Sequence, residues 1–93
     1  MPESFVSKER VNALPGYTLQ LLAGYQEQTA VTFIRRYPEL DGLRYTRSTR
    51  NDQDWFVVYF GQFDNLEAAR ASVPELPSSI RSQQPWPRAL EDI

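Results

Sequence analysis

Cysteine and histidine are both absent from this 93-residue chain. Without cysteine there are no disulfides and no thiolate nucleophile. Without histidine the usual general base at neutral pH is gone, and the two absences together remove the soft metal ligands. No metal site, no cofactor and no catalytic residue is therefore expected. The four glycines, Gly16, Gly24, Gly42 and Gly61, are too scattered to build a phosphate-cradling loop. Asp52 and Asp54, two residues apart, fall in a hairpin link where aspartate is favoured by turn geometry, so they read as turn residues and not as an acid–base pair. Lysine is nearly missing as well. Only Lys8 accompanies the nine arginines, and the net charge is -2. That balance lacks the bulk electrostatic signature of a nucleic-acid binder. No run is long or apolar enough to span a membrane, and no signal peptide is legible. If the parent is exported or anchored, those parts are expected outside this stretch, with Met1-Pro2 standing in front of an excised domain. The length suits one domain.

What the chain does have is one dense apolar run, Asp54-Trp-Phe-Val-Val-Tyr-Phe-Gly-Gln-Phe63. Its β-branched and aromatic content predicts a central strand. Alternation places Phe56, Val58 and Phe60 on one face and Trp55, Val57 and Tyr59 on the other. The first set reads as core. The second reads as an aromatic surface open to water, which calls for a ligand.

Residues 1–16 read as a lead-in from an upstream linker, with at most a turn or two of helix, closed by the turn signal Pro15-Gly16. Tyr17 to Ala23 is predicted as the first strand, with Leu19 and Leu21 on one face and Thr18, Gln20 and Leu22 on the other. Ala30, Phe33, Ile34 and Tyr37 form a helical stripe that Pro38 stops. Leu43 to Arg50 is a second, polar strand, joined by Asn51-Asp52-Gln53 to the central strand as an antiparallel hairpin. Asp64-Asn-Leu-Glu67 has the spacing of a capping box. Leu66, Ala69 and Val73 are expected to point inward from the helix that follows, and Pro74 and Pro77 interrupt it. Pro85-Trp86-Pro87 reads as a stiff hinge and Arg88 to Ile93 as the last strand.

The order β-α-β-β-α-β predicts an α+β, ferredoxin-like domain over residues 17–93. Its four-stranded antiparallel sheet would carry helices on one face and leave the other open for a ligand. Trp55 on the open face and Trp86 between two prolines near the last strand offer flat apolar plates with polar edges, suited to the C–H face of a sugar ring. The alternative is that both are ordinary packing residues, the reading favoured for Trp86. Gln20 and Thr18 add donors and acceptors for hydroxyl or acetamido groups. Arg44 and Arg50 share a face of the second strand. They serve either as a solvated, aggregation-resistant edge or as carboxylate ligands. Two other uses of the same face stay open: single-stranded RNA stacked on the aromatics, or a docked protein partner.

The opening Tyr17-Thr-Leu-Gln20-Leu, the strand Phe56-Val-Val-Tyr-Phe-Gly61-Gln-Phe63 and the helix containing Leu66-Glu-Ala-Ala69 resemble SPOR (sporulation-related repeat) domains over residues 17–93. The resemblance implies a non-catalytic module that binds peptidoglycan in the periplasm of a Gram-negative bacterium. Its preferred ligand would be the denuded, peptide-free glycan strands that amidases leave at division septa. The resemblance further implies a monomeric domain within a membrane-anchored parent that has no nucleic-acid partner. The family's ligand-face positions fall on Gln20, Ala23, Trp55 and Trp86. Ala23 stands where relatives often carry serine, and Leu22 where glycine commonly precedes it.

Overall fold

The structure is a computed structural model and describes residues 4–93. The first three residues of the expected lead-in lie outside that range. Helix α1 (Lys8–Ala13) comes first, then strand β1 (Tyr17–Gly24), helix α2 (Glu27–Arg35), and strands β2 (Leu43–Arg50) and β3 (Gln53–Phe63). Helix α3 (Leu66–Ala71), a 3-10 turn (Val73–Glu75), helix α4 (Ser78–Arg81), strand β4 (Trp86–Ala89) and a final 3-10 turn (Leu90–Asp92) complete the chain. The strands form one antiparallel sheet in the order β2-β3-β1-β4. This is the expected ferredoxin-like α+β arrangement, and the most apolar strand, β3, is one of its two central members.

The helical side carries the main core. Leu19 and Leu21 of β1, Tyr45 of β2 and Phe56 and Val58 of β3 pack with Ala30 and Phe33 of α2, Ala69 of α3 and Ile80 of α4. Each such large apolar side chain contributes about 1.5–3 kcal/mol when fully buried. The β2–β3 hairpin closes through Asn51 and Asp52, both with positive φ (54° and 62°). That is the two-residue hairpin geometry that matches strand twist, and Asn and Asp are the non-glycine residues that tolerate it best.

Three local expectations are corrected. The cap of α3 is Asn65, whose Oδ1 accepts from the Ala68 N–H at 2.8 Å, and not Asp64. The one-residue shift takes Glu67 out of capping-box register and turns Leu66 outward, 41% exposed. The last strand starts earlier and ends sooner than Arg88–Ile93. Trp86 and Pro87 already pair with β1, opposite Gln20 and Leu19. Proline is tolerated there because β4 is an edge strand, with one side free of ladder bonds. After Ala89 the chain turns back over the sheet, which buries Leu90 and Ile93 more completely than further extension along the edge would.

The third correction concerns the face opposite the helices, which is partly roofed. The described part of the lead-in packs on the domain. Ser4 and Val6 exchange backbone hydrogen bonds with Tyr45 (3.0 and 2.9 Å), and α1 then lies over the sheet. Val11 is fully buried against Val57, Tyr59, Leu90 and Ile93. Asn12 Nδ2 donates to the carbonyls of Leu90 and Ile93 and ties the two covering segments together. A second, smaller core therefore sits where a bare surface was expected, because Val57 and Tyr59 are too apolar to leave wet.

Candidate ligand-binding site

The face opposite the helices is built on a kink in β1. Gln20 pairs with Tyr59 and Leu22 with Val58, so one extra residue is inserted at Leu21. This β-bulge reverses the alternation beyond it. Leu22, expected beside Gln20, instead packs in the helical-side core, and Ala23 takes its place opposite Val57. Without the bulge, Gln20 and Ala23 would point to opposite sides of the sheet.

The pairings set out a lattice. Trp86, Gln20, Tyr59 and Arg44 lie in one row across β4, β1, β3 and β2. Ala23, Val57 and Thr46 form the next row, and Trp55 and Ser48 the one after. The roof covers the middle of this lattice. Beside it, partly exposed surface runs from Trp86, past Gln20 and Ala23, to Trp55, roughly 15 Å by strand spacing and rise per residue.

At one end Trp86 is 51% exposed. Arg88, two residues on and on the same face, lies 5.3 Å from its ring centroid and donates through Nη1 to Gln20 Oε1 at 2.8 Å. The same guanidinium also donates to the carbonyl of Asp92. Gln20 is thus held with its oxygen occupied and its amide N–H groups free to serve as donors.

The other end is an aromatic corner. Tyr25 meets Trp55 edge-on, with centroids 4.7 Å apart, and the Arg50 guanidinium lies 4.7 Å from the indole. Asn51 Nδ2 donates to the Tyr25 hydroxyl at 3.0 Å. Trp55 is half-buried, its inner edge resting on the Val57 cluster.

Of the residues named from sequence, Gln20, Ala23, Trp55, Trp86 and Arg50 fall along this exposed path. Thr18 and Tyr59 do not. Thr18 is fully buried and spends its hydroxyl on the carbonyl of Phe60 at 2.9 Å. Tyr59 is 4% exposed beneath the roof and offers no ring face to a sugar. Arg44 is exposed but separated from Gln20 by that covered tyrosine, and it faces a different cavity.

Tyr25 and Arg88 were not singled out from the sequence. Arg88 was legible by alternation from Trp86. Tyr25 follows the glycine that ends β1, and only the tertiary fold brings it to Trp55.

The profile of the SPOR domain matches residues 13–89. The chain belongs to the SPOR domain family, a family of binding domains that recognise peptidoglycan and occur in periplasmic cell-division proteins. No helix among the described residues is long and apolar enough to cross a membrane.

Proposed function

We propose that this domain binds denuded glycan strands of peptidoglycan along the exposed path from Trp86 to Trp55, without catalysis. The observation that carries the reading is the placement of two indoles on one sheet face, with Gln20 and Ala23 between them and the Gln20 oxygen held by Arg88. The indoles stack on sugar C–H faces, and the Gln20 amide donates to an acetamido or hydroxyl oxygen. Arg50 stands beside Trp55 to meet a lactyl carboxylate exposed by peptide removal. Ala23 supplies no hydrogen bond, only a small side chain that lets the strand approach closely.

Selectivity rests on exclusion as well as attraction. A strand with its peptides intact would drive them into Trp86 or into the α1 roof. The surface is shallow and wet, so affinity is modest. On this reading the parent works in the periplasm of a Gram-negative bacterium, anchored in the inner membrane and enriched at the division septum, with this domain monomeric. Its Thr49-Arg-Asn51 hairpin with Gln53 and Trp55, and its Pro85-Trp86, are similar to features of the terminal SPOR domain of the cell-division protein DamX.

The test is cosedimentation with cell-wall sacculi before and after amidase treatment. Wild type should pellet with the treated walls and far less with intact ones, and Trp86→Ala should stay in solution while melting normally. Equal retention on both wall preparations would overturn selectivity for bare glycan. A steep loss with added salt would point to a polyanion such as RNA.

A further inference from the structure

A second cavity lies on the other side of α1 from the aromatic path. It measures about 350 Å³ and opens between the Val6–Leu14 segment and the ends of β2 and β3. Val6, Arg10 and Leu14, spaced by four, form one wall, with Leu90 completing the apolar part. Arg44 and Tyr59 of the sheet face them. The positive-φ bulge at Gly61 bends β3 here, and Gly42, Gly61 and Gln62 complete the lining.

The charge balance is one-sided. Two guanidinia from different elements border the cavity, and among the described residues no carboxylate lines it. Both act on the same point: burial raises the Tyr59 pKa above its ordinary value, and Arg44 and then Arg10 pull it back down. Arg44 is steadied by a hydrogen bond from Nη1 to the Leu43 carbonyl at 2.8 Å, its one side-chain hydrogen bond among the described residues. A guanidinium pair above an apolar wall suits an anion with a short hydrophobic body. The volume is near the lower end for ligand sites, too small for a long acyl chain.

We propose that this cavity is a second binding site, which takes a short apolar carboxylate of the kind found at the free end of a peptide. The carboxylate sits between Arg10 and Arg44, and the small side chain beside it lies on Val6, Leu14 and Leu90. The site is independent of the glycan path and does not rest on that reading.

The experiment is an amide-resolved NMR titration of the whole 93-residue chain with N-acetyl-alanyl-alanine, as the free acid and as its C-terminal amide. The L,L and D,D forms are run in parallel to separate a protein terminus from a cell-wall peptide as the source. The acid should give saturable shifts at Val6, Gly61 and Leu90, and the amide should bind at least about tenfold more weakly. Arg44→Gln and Arg10→Gln should each weaken the acid to the level of the amide, with melting temperature retained. Trp55→Ala and Trp86→Ala should leave this titration unchanged. Equal shifts from acid and amide, or none at all up to about 10 mM, would overturn the proposal. So would undiminished binding by the doubly substituted protein.

Discussion

The guanidinium of Arg88 donates to the side-chain oxygen of Gln20 at 2.8 Å, across the β1–β4 pairing that also brings Trp86 opposite Gln20. One arginine therefore fixes the rotamer of the central polar residue and steadies the neighbouring indole. Arg88→Met keeps the aliphatic stem and removes both effects. Glycan affinity is expected to fall by about tenfold, corresponding to one charge-assisted hydrogen bond, with little change in melting temperature. Isothermal titration with a purified glycan fragment checks this; unchanged affinity would show that Gln20 needs no support.

Gln20→Lys puts an ammonium against that guanidinium. The repulsion should push the new side chain into the path of the ligand and cost some stability as well. Both losses should be smaller in the double variant with Arg88→Met, a coupling that a double-mutant cycle measures. Additive losses would mean that the two side chains act separately.

Tyr25→Ala removes an edge-on aromatic pair worth about 0.5–1.5 kcal/mol and frees the Trp55 ring to turn. Glycan binding should weaken several-fold, and tryptophan fluorescence should shift to the red. Tyr25→Phe keeps the ring and loses only the bond from Asn51, so it should bind nearly as wild type does. A Phe variant as weak as the Ala variant would give the hydroxyl the main role.

Val11→Ala tests the roof. The side chain is fully buried between α1, the sheet and the C-terminal turn. Its truncation should cost about 2 kcal/mol, the loss of two buried methyl groups and the void they leave. Urea unfolding should show a lower midpoint with an unchanged slope. If stability is unchanged, residues 8–13 contribute nothing to the fold.

Tyr45 donates to Glu27 Oε2 at 2.6 Å, and its pKa is pushed up to about 12, first by burial and then by that bond and the Glu27 charge. The unfolded chain ionises this hydroxyl near 10. Above that value the unfolded state loses its proton first, so the stabilisation is complete below pH 10 and is lost as pH rises from there to about 12. Tyr45→Phe should flatten that part of the stability curve. In a spectrophotometric titration of the folded protein, Tyr45 should ionise only as pH approaches about 12.

Much of the sheet was legible because β3 repeats every second residue from Trp55 to Phe60. Trp55 and Phe56 could be sent to opposite faces from parity alone. The bulge at Leu21 was not legible in the same way. Leu22 fits an alternating pattern as well as Leu21 does, and only pairing against β3 shows which one is the extra residue. Tyr59 was misplaced for a related reason. Parity gave its face correctly, but parity is silent on what covers a face, and the cover comes from Val11, Leu90 and Ile93, at the two ends of the chain. The weak periodicity of residues 5–14 hid this. A helix of six residues presents only one or two side chains inward, too few to establish a repeat.

The amino-acid order by itself determined the first three strands, the two helices that stand between the strands, and that Trp55 and Gln20 lie away from the helical core. It could do so because those properties follow from local periods of two and 3.6. The tertiary structure alone decided how much of that face stays open, which arginines lie beside the aromatic path and which border the second cavity, and that Arg88 holds Gln20. Each of these depends on contacts between segments far apart in the chain, and a local period does not encode them.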